Sequence, residues 1–196
     1  MKTTQRSGKA AFTLVELMAV ITIIVILAGL VVGGMGFVRD RQANEKAKVQ
    51  IALLSKALEE YKLDMGTYPP TNDSVDGRGQ SAVSLYQALF YEGDDYGKQA
   101  TPPTNWTKAT KVYLPDLDPS SSKQGWVTTA TNVPASTTVK DPWGKEYSYR
   151  SATNQSGTAN SNTQNPDFDL WSWGKDGKSK PGTPSDATNR DDIKNF

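Results

Sequence analysis

From Phe12 to Val38 the chain is an apolar run of 27 residues with a single charged side chain, Glu16. A run that is apolar on every side and this long is expected to span a membrane. At about 1.5 Å per residue it reaches roughly 40 Å, against a hydrocarbon core of about 30 Å. Beyond it the pattern changes. Ala47, Ile51, Leu54, Leu58, Tyr61 and Met65 follow spacings of 4, 3, 4, 3 and 4 residues, one stripe on a helix. Lys46, Lys48, Gln50, Lys56, Glu59, Glu60 and Lys62 lie between them and are expected to form a solvated face. Gly66 fits a helix C-terminus, and Tyr68-Pro69-Pro70 stops continuation. The spacing predicts one helix over about residues 13–65, apolar all round in its first half and amphipathic in its second. A membrane anchor followed by a separate core helix has the same pattern and differs only in the stiffness of the joint. Gly29, Gly33, Gly34 and Gly36 weaken that joint, each interior glycine costing about 0.5–1 kcal/mol relative to alanine.

Met1–Ala11 carries Lys2, Arg6 and Lys9 and no acidic residue. The positive-inside rule then keeps the N-terminus in the cytoplasm and puts the body on the opposite side. A cleaved secretory signal needs a small-residue site after the apolar stretch. Gly29 and Gly33–Gly34 imitate one, but the run is too long for such a signal and continues into a helix.

After Pro70 the chain turns to Ser, Thr, Asn, Asp, Gly and Pro with scattered aromatics. Ser81–Tyr91 reads as a second helix, with Ser81 as N-cap and Gly93 near its end. Lys111–Leu114 and Trp126–Thr129 are brief extended candidates, while Lys145–Arg150 and Phe168–Trp173 alternate well enough to predict two antiparallel strands. Ser151–Pro166 reads as a polar low-complexity loop, mobile and dispensable for packing. Asp141-Pro142-Trp143-Gly144 has the residue order of a tight turn. Sixteen of the 18 aromatic residues but only two of the six isoleucines lie beyond Val38. Aromatic rings must therefore supply most of the body's buried area. The fold class expected is α+β, a long helix packed on a small antiparallel sheet.

Composition narrows the chemistry. With 22 basic and 21 acidic residues there is no basic field, and no nucleic-acid partner is expected. The absence of Cys and His excludes thiol nucleophiles, His-dependent triads, zinc fingers and disulfides. A metal would have to be held by oxygen, which favours Ca²⁺ or Mg²⁺. Glu59-Glu60 and Asp94-Asp95 are paired acids, better read as solvated surface than as acid/base chemistry, and Gly77-Arg78-Gly79 lacks the lysine of a phosphate loop. Trp171 and Trp173 could form a carbohydrate platform, but packing of strand aromatics on the long helix is the commoner use. Asp176-Gly177 with acids downstream does not have EF-hand spacing.

Glu16 is the residue that calls for explanation, because a carboxylate at the edge of a span is costly unless paired or hydrated. Its context, Ala11-Phe12-Thr13-Leu14-Val15-Glu16 after a short basic leader, resembles the class III signal of type IV pilin-like proteins. The resemblance implies that a prepilin peptidase cuts between Ala11 and Phe12 and methylates Phe12. Glu16 then becomes an assembly residue, a counter-charge for a neighbouring subunit's N-terminal amine in an apolar setting. Ala11 departs from the glycine usual in that family. Further on, Gly66-Thr67-Tyr68-Pro69, Asp141-Pro142-Trp143-Gly144-Lys145-Glu146-Tyr147, Asp169–Gly177 and Asp192–Phe196 occur in that order. Together they resemble the major pseudopilins of the type II secretion system, with Phe196 where Trp is more usual.

That resemblance implies a type IV pilin-like α+β fold with a C-terminal metal-binding loop. Three parts are expected: a cleaved leader over 1–11, a transmembrane and polymerisation helix half over 12–38, and a periplasmic globular domain over 39–196. The family's structural Ca²⁺ would be held by Asp176, by the carbonyl of Trp173 and by acids before Ile193. Asp192 aligns with one of these; Arg190 stands at another, leaving Asp191 or Asp186 for that role. The implied function is structural, not enzymatic: a homopolymer forming a short pseudopilus that drives protein export. Its implied partners are the prepilin peptidase, the inner-membrane assembly platform and minor pseudopilins. A type IV pilin of an extended pilus is the nearest alternative, although many such pilins close a C-terminal loop by a disulfide. A membrane-anchored Ca²⁺- or glycan-binding domain that never polymerises is the remaining one. Removing the leader takes away three of the 22 basic residues and no acid, leaving 19 against 21.

Overall fold

The computed structural model describes residues 12–72, 75–93, 96, 110–121, 123–127 and 136–196. The chain divides into two compact units between Arg41 and Gln42. Helix α1 runs Leu14–Met65, 52 residues, in agreement with the spacing. It begins with a reciprocal capping box. The Thr13 hydroxyl accepts the Glu16 backbone N–H at 3.2 Å, and Glu16 Oε2 accepts the Thr13 backbone N–H at 2.9 Å. It ends where Gly66 donates its N–H to the Lys62 carbonyl, 2.8 Å away.

In the first unit, every large apolar side chain described between Phe12 and Val38 is more than half exposed. This is the one helix, among the described residues, long and apolar enough to cross a membrane. Apolar surface of that extent is covered by lipid or by other chains.

In the second unit the predicted stripe is the core. Ala47, Ile51, Leu54, Leu58 and Tyr61 are buried, and the half-buried Met65 packs against them. Gln50, expected on the solvated face, is instead fully buried. It lies three residues after Ala47 and four before Leu54, so the buried face is wider than a single stripe. Its amide is matched: Oε1 accepts the Tyr147 hydroxyl at 2.8 Å, and Nε2 donates to the Gln124 carbonyl at 3.2 Å.

Three antiparallel strands follow in the order β1 (Ser148–Ser151), β2 (Phe168–Ser172) and β3 (Ile193–Lys194). β2 falls inside its predicted strand, and β1 overlaps the C-terminal half of its own and runs one residue past it, into the stretch read as a loop; β3 is an addition, pairing Ser172 with Ile193 and Trp171 with Lys194. Alternation divides β2 between two faces. Phe168 and Leu170 join Tyr147 and Tyr149 in the cluster that includes the α1 stripe. Trp171 and Asp169 point the other way. Trp171 was expected to pack on the long helix; it lies instead beneath Gly77, where an added Cβ would come within 2.6 Å of the indole, and edge-on to Phe196. On that same face Arg150, directly opposite Asp169, forms a buried ion pair of 2.7 Å. Asp169 also accepts the backbone N–H groups of Gln164 and Asn165.

Other elements depart from expectation for local reasons. The second helix is α2 (Gln80–Tyr86), continued by a π-helical turn over Gln87–Tyr91. Its N-cap is Gly79, not Ser81, whose hydroxyl is buried and bonded to the Asn72 side chain. Lys111–Leu114 is not a strand: the N–H groups of Tyr113 and Leu114 both donate to the Leu89 carbonyl at 3.0 Å. Trp126 and Val127 are likewise outside any strand, and the rest of that extended candidate, with Asp94-Asp95 and the leader, lies outside the described residues. The polar stretch 151–166 packs. Asn154 and Asn160 are buried, their side chains accept nearby backbone N–H groups, and Gln155 N–H bonds the Thr71 carbonyl. Asn and Asp order loops in this way because their short side chains mimic a backbone turn.

The buried ion pair gives the fold a sharp test. Asp169→Ala leaves the Arg150 guanidinium buried without its counter-charge, so urea unfolding followed by tryptophan fluorescence is expected to lose about 3–5 kcal/mol.

Candidate functional site

Two places carry the residues singled out by the sequence. At the start of α1, Glu16 is exposed, and both the backbone N–H and the hydroxyl of Thr13 converge on its Oε2. The T-x-x-E spacing that announces this box stands in the sequence at Thr13–Glu16. Glu16 therefore holds the first turn of the helix with one oxygen. It remains the only formal charge in the apolar run. Phe12 is exposed beside it, and Ala11 lies outside the described residues.

The second place is the C-terminal loop after β2. Trp173 is half-buried, with the Arg78 guanidinium 3.7 Å above its ring and its indole N–H donated to Ser148 Oγ at 2.8 Å. Asp176 is exposed, and its backbone N–H donates to Asp191 Oδ2 at 2.9 Å. Gly174 passes directly under Asp191. It has φ of +62°, and a Cβ there would lie 2.3 Å from the Asp191 carbonyl oxygen. Asp192 Oδ2 accepts the Ser179 hydroxyl at 2.8 Å, while its Oδ1 is buried without a hydrogen-bond partner. Burial raises the Asp192 pKa to about 6; the Ser179 bond and Lys194 pull it down, and the neighbouring Asp191 and Asp176 push it further up. Asp186 has a different task. It caps the short 3-10 turn Ala187–Asn189 and pairs with Lys180 at 2.8 Å. The Lys180 bond first, then the two bonds from Thr188, lower its pKa to about 2.

The fold thus sets Asp191 against Gly174 and under the Asp176 backbone N–H, with Asp192 next in the chain, while the Asp176 carboxylate accepts the Lys178 N–H at 2.8 Å and Asp186 is engaged elsewhere. A hard divalent cation fits this place in donor type, since it offers carboxylate, hydroxyl and carbonyl oxygens and one buried Asp192 oxygen has no hydrogen-bond partner. Among the described residues, no group of three acidic side chains stands already arranged as a metal site.

The loop is held from below. Asp141 opens the predicted turn: its carbonyl accepts the Gly144 N–H at 2.9 Å, and its Oδ1 accepts the N–H groups of Trp143 and Lys145 at 3.0 and 2.8 Å. Its Oδ2 accepts the Ser172 hydroxyl at 2.6 Å. Burial raises the Asp141 pKa, and the Ser172 bond is the largest influence lowering it.

Comparison with known proteins bears on the start of α1 and on the long helix with the body that follows it. The chain matches the sequence model of the prokaryotic N-terminal methylation motif over residues 6–32. It matches that of type II secretion system (T2SS) protein G over residues 37–116. The type II secretion system core protein G of Pseudomonas aeruginosa is 30% identical over 183 residues, 93% of this chain and 94% of its own length. That of Escherichia coli K12 is 32% identical over 178 residues, covering 91% and 88%. This chain belongs to the type II secretion system core protein G family. A Klebsiella michiganensis member is 28% identical over 185 residues. The family is one of structural pseudopilus subunits, not enzymes. Membership makes the chain a prepilin-peptidase substrate with a membrane-anchoring helix.

Three contributors to these two places were not singled out from the sequence. Thr13 was legible from its spacing to Glu16. The pairing of Ser172 with Asp141 was not, because 31 residues separate them. Nor was the passage of Gly174 beneath Asp191. Gly174→Ala meets both a strained left-handed backbone and the Asp191 carbonyl. It is expected to destabilise the body by at least about 1–2 kcal/mol and to speed hydrogen exchange of the Asn195 amide, which bonds the Leu170 carbonyl across the edge of the sheet.

Proposed function

We propose that this chain forms the pseudopilus by polymerising through the exposed apolar half of α1, with Glu16 setting the register. The reading rests on one observation above all. The large apolar side chains described between Phe12 and Val38 are all exposed in the single chain, and the run they form carries one charge. Lipid covers such a helix before assembly, and copies of the same helix cover it afterwards. Lipid tails are as apolar as the side chains, so close packing and polar contacts must drive the exchange. A carboxylate moved into that setting requires a partner. In this reading cleavage between Ala11 and Phe12 creates it, as the methylated amine of Phe12 on a neighbouring copy.

The basic leader places the N-terminus on the cytoplasmic side and the body in the periplasm. The chain is then anchored in the inner membrane until an assembly platform, working with minor pseudopilins, draws it into a filament that drives export. Processing is checked by mass spectrometry of the purified N-terminus, which should begin at methylated Phe12; an intact Met1 would refute the assignment. Glu16→Ala is expected to abolish filaments seen by electron microscopy while the body keeps its native circular dichroism. Normal filaments from this variant would sink the pairing.

Calcium is the proposed staple of the C-terminal loop, with Asp176, Asp191 and Asp192 and the Trp173 carbonyl as ligands. What supports it is the crowding of three like charges and the orphaned Asp192 Oδ1. A bound dication would offset that repulsion and tie β3 to the end of β2 in a body that has no disulfide. Binding to the folded state alone stabilises by about 2.7 kcal/mol at a hundredfold excess over Kd. Chelation is therefore expected to lower Tm by several degrees, and Asp176→Ala to remove that response; an unchanged Tm on chelation would reject a structural ion.

A further inference from the structure

We infer that Asp141, in the turn before β1, is a positioning residue for the C-terminal loop, acting through Ser172 on the Trp173–Gly174 peptide and so on the affinity for calcium. The inference rests on the calcium reading above. It starts from a continuous chain of buried hydrogen bonds. The Ser172 hydroxyl donates to Asp141 Oδ2 at 2.6 Å and accepts the Gly174 N–H at 3.1 Å. Ser172 is wholly buried and Asp141 nearly so. The other Asp141 oxygen is saturated by two backbone N–H groups of its own turn, so the carboxylate can move only if the turn moves with it. Its position therefore fixes the hydroxyl, and the hydroxyl fixes the Gly174 amide.

Gly174 is the point at which that chain meets the acidic cluster. No room separates it from Asp191, since an added Cβ would lie 2.7 Å from Asp191 Oδ2 as well as against the carbonyl. A shift of the 173–174 peptide would thus move both the Trp173 carbonyl and the side chain of Asp191. Lys145, at the end of the same turn, lays its side chain against Gly177, with Cε 3.2 Å from where a Cβ would stand. The turn supports the loop at two points, one on each side of Asp176. Outer groups that orient metal ligands in this way typically change affinity by 10–100-fold when removed.

The test uses the full chain in detergent, with Tb³⁺ luminescence sensitised by tryptophan and displaced by Ca²⁺ to give Kd. Asp141→Asn keeps an oxygen for the two turn amides but presents an amide N–H₂ to Ser172 in place of an acceptor. Ser172→Ala removes the link from the other end, so that the outcome does not depend on one variant folding. Each is expected to weaken Ca²⁺ binding at least tenfold, and the double variant to be no weaker than the worse single one, because both break one chain. Leu54→Ala, in the α1 stripe, serves as a control expected to lower Tm while leaving Kd within twofold. Wild-type Kd in both Asp141→Asn and Ser172→Ala would overturn the positioning role and leave the calcium reading intact. So would an equal loss of affinity in Leu54→Ala, since general loosening would then explain it. Failure of the wild-type chain to bind Ca²⁺ would overturn the calcium reading itself, and this inference with it.

Discussion

Everything in the body depends on one contact layer, where the aromatic face of a small sheet lies against the amphipathic half of α1. Tyr147, Tyr149, Phe168 and Leu170 share a cluster with Ile51, Leu54, Leu58 and Tyr61. A small sheet needs a hydrophobic face to bury or a helix to pack on, and half a helix with one apolar face needs tertiary packing in turn. Each supplies the surface the other must bury. The layer is also specific, because its rings carry hydroxyls that need partners. Tyr147 finds Gln50 on the helix, and Tyr149 finds the Pro69 carbonyl just beyond the helix end, at 2.9 Å. Those two bonds set how the sheet lies along the helix, which apolar burial alone would leave loosely defined.

The opposite face of the sheet is built on charge. Arg150 and Asp169 face each other across β1 and β2, and Arg150 also donates to the Val75 carbonyl at 2.8 Å. A buried pair of this kind gives little net stability but tolerates few arrangements. It draws the 75–79 segment over Trp171 and organises the turn at Gln164–Asn165. From that face β2 runs on into the carboxylate loop. A filament subunit has a use for this order: the body must stay folded while the apolar helix half changes its surroundings.

Much of this was legible from the residues. The 4-3-4-3-4 stripe located α1 and its buried side, alternation located β1 and β2, and Asp-Pro-Trp-Gly located its turn. Those features are local, so neighbouring residues suffice to specify them. The misreadings share the opposite property. Gln50 looked solvated until Tyr147, 97 residues away, supplied its partner. Ser81 looked like an N-cap, but tertiary packing took its hydroxyl for Asn72. The polar loop 151–166 looked mobile because composition cannot show that Asn154 and Asn160 turn their amides inward. At the C-terminal loop, Asp176 and Asp192 stood out by resemblance, while the engagement of Asp186 by Lys180 and Thr188 could not be read from the sequence.

The sequence by itself determined that this chain has an oily helix with one acidic residue, a body without cysteine or histidine, and a family to belong to. Periodicity, composition and contiguous motifs are properties of the string, and they carry those conclusions whatever the chain does in space. Only the tertiary structure decided that Asp191 stands against Gly174, that one Asp192 oxygen is left without a partner, and that Asp141 reaches the loop through Ser172. These are contacts between segments 15 to 31 residues apart. They depend on the pairing of β2 with its neighbours and on the close pass at Gly174, neither of which any single segment encodes.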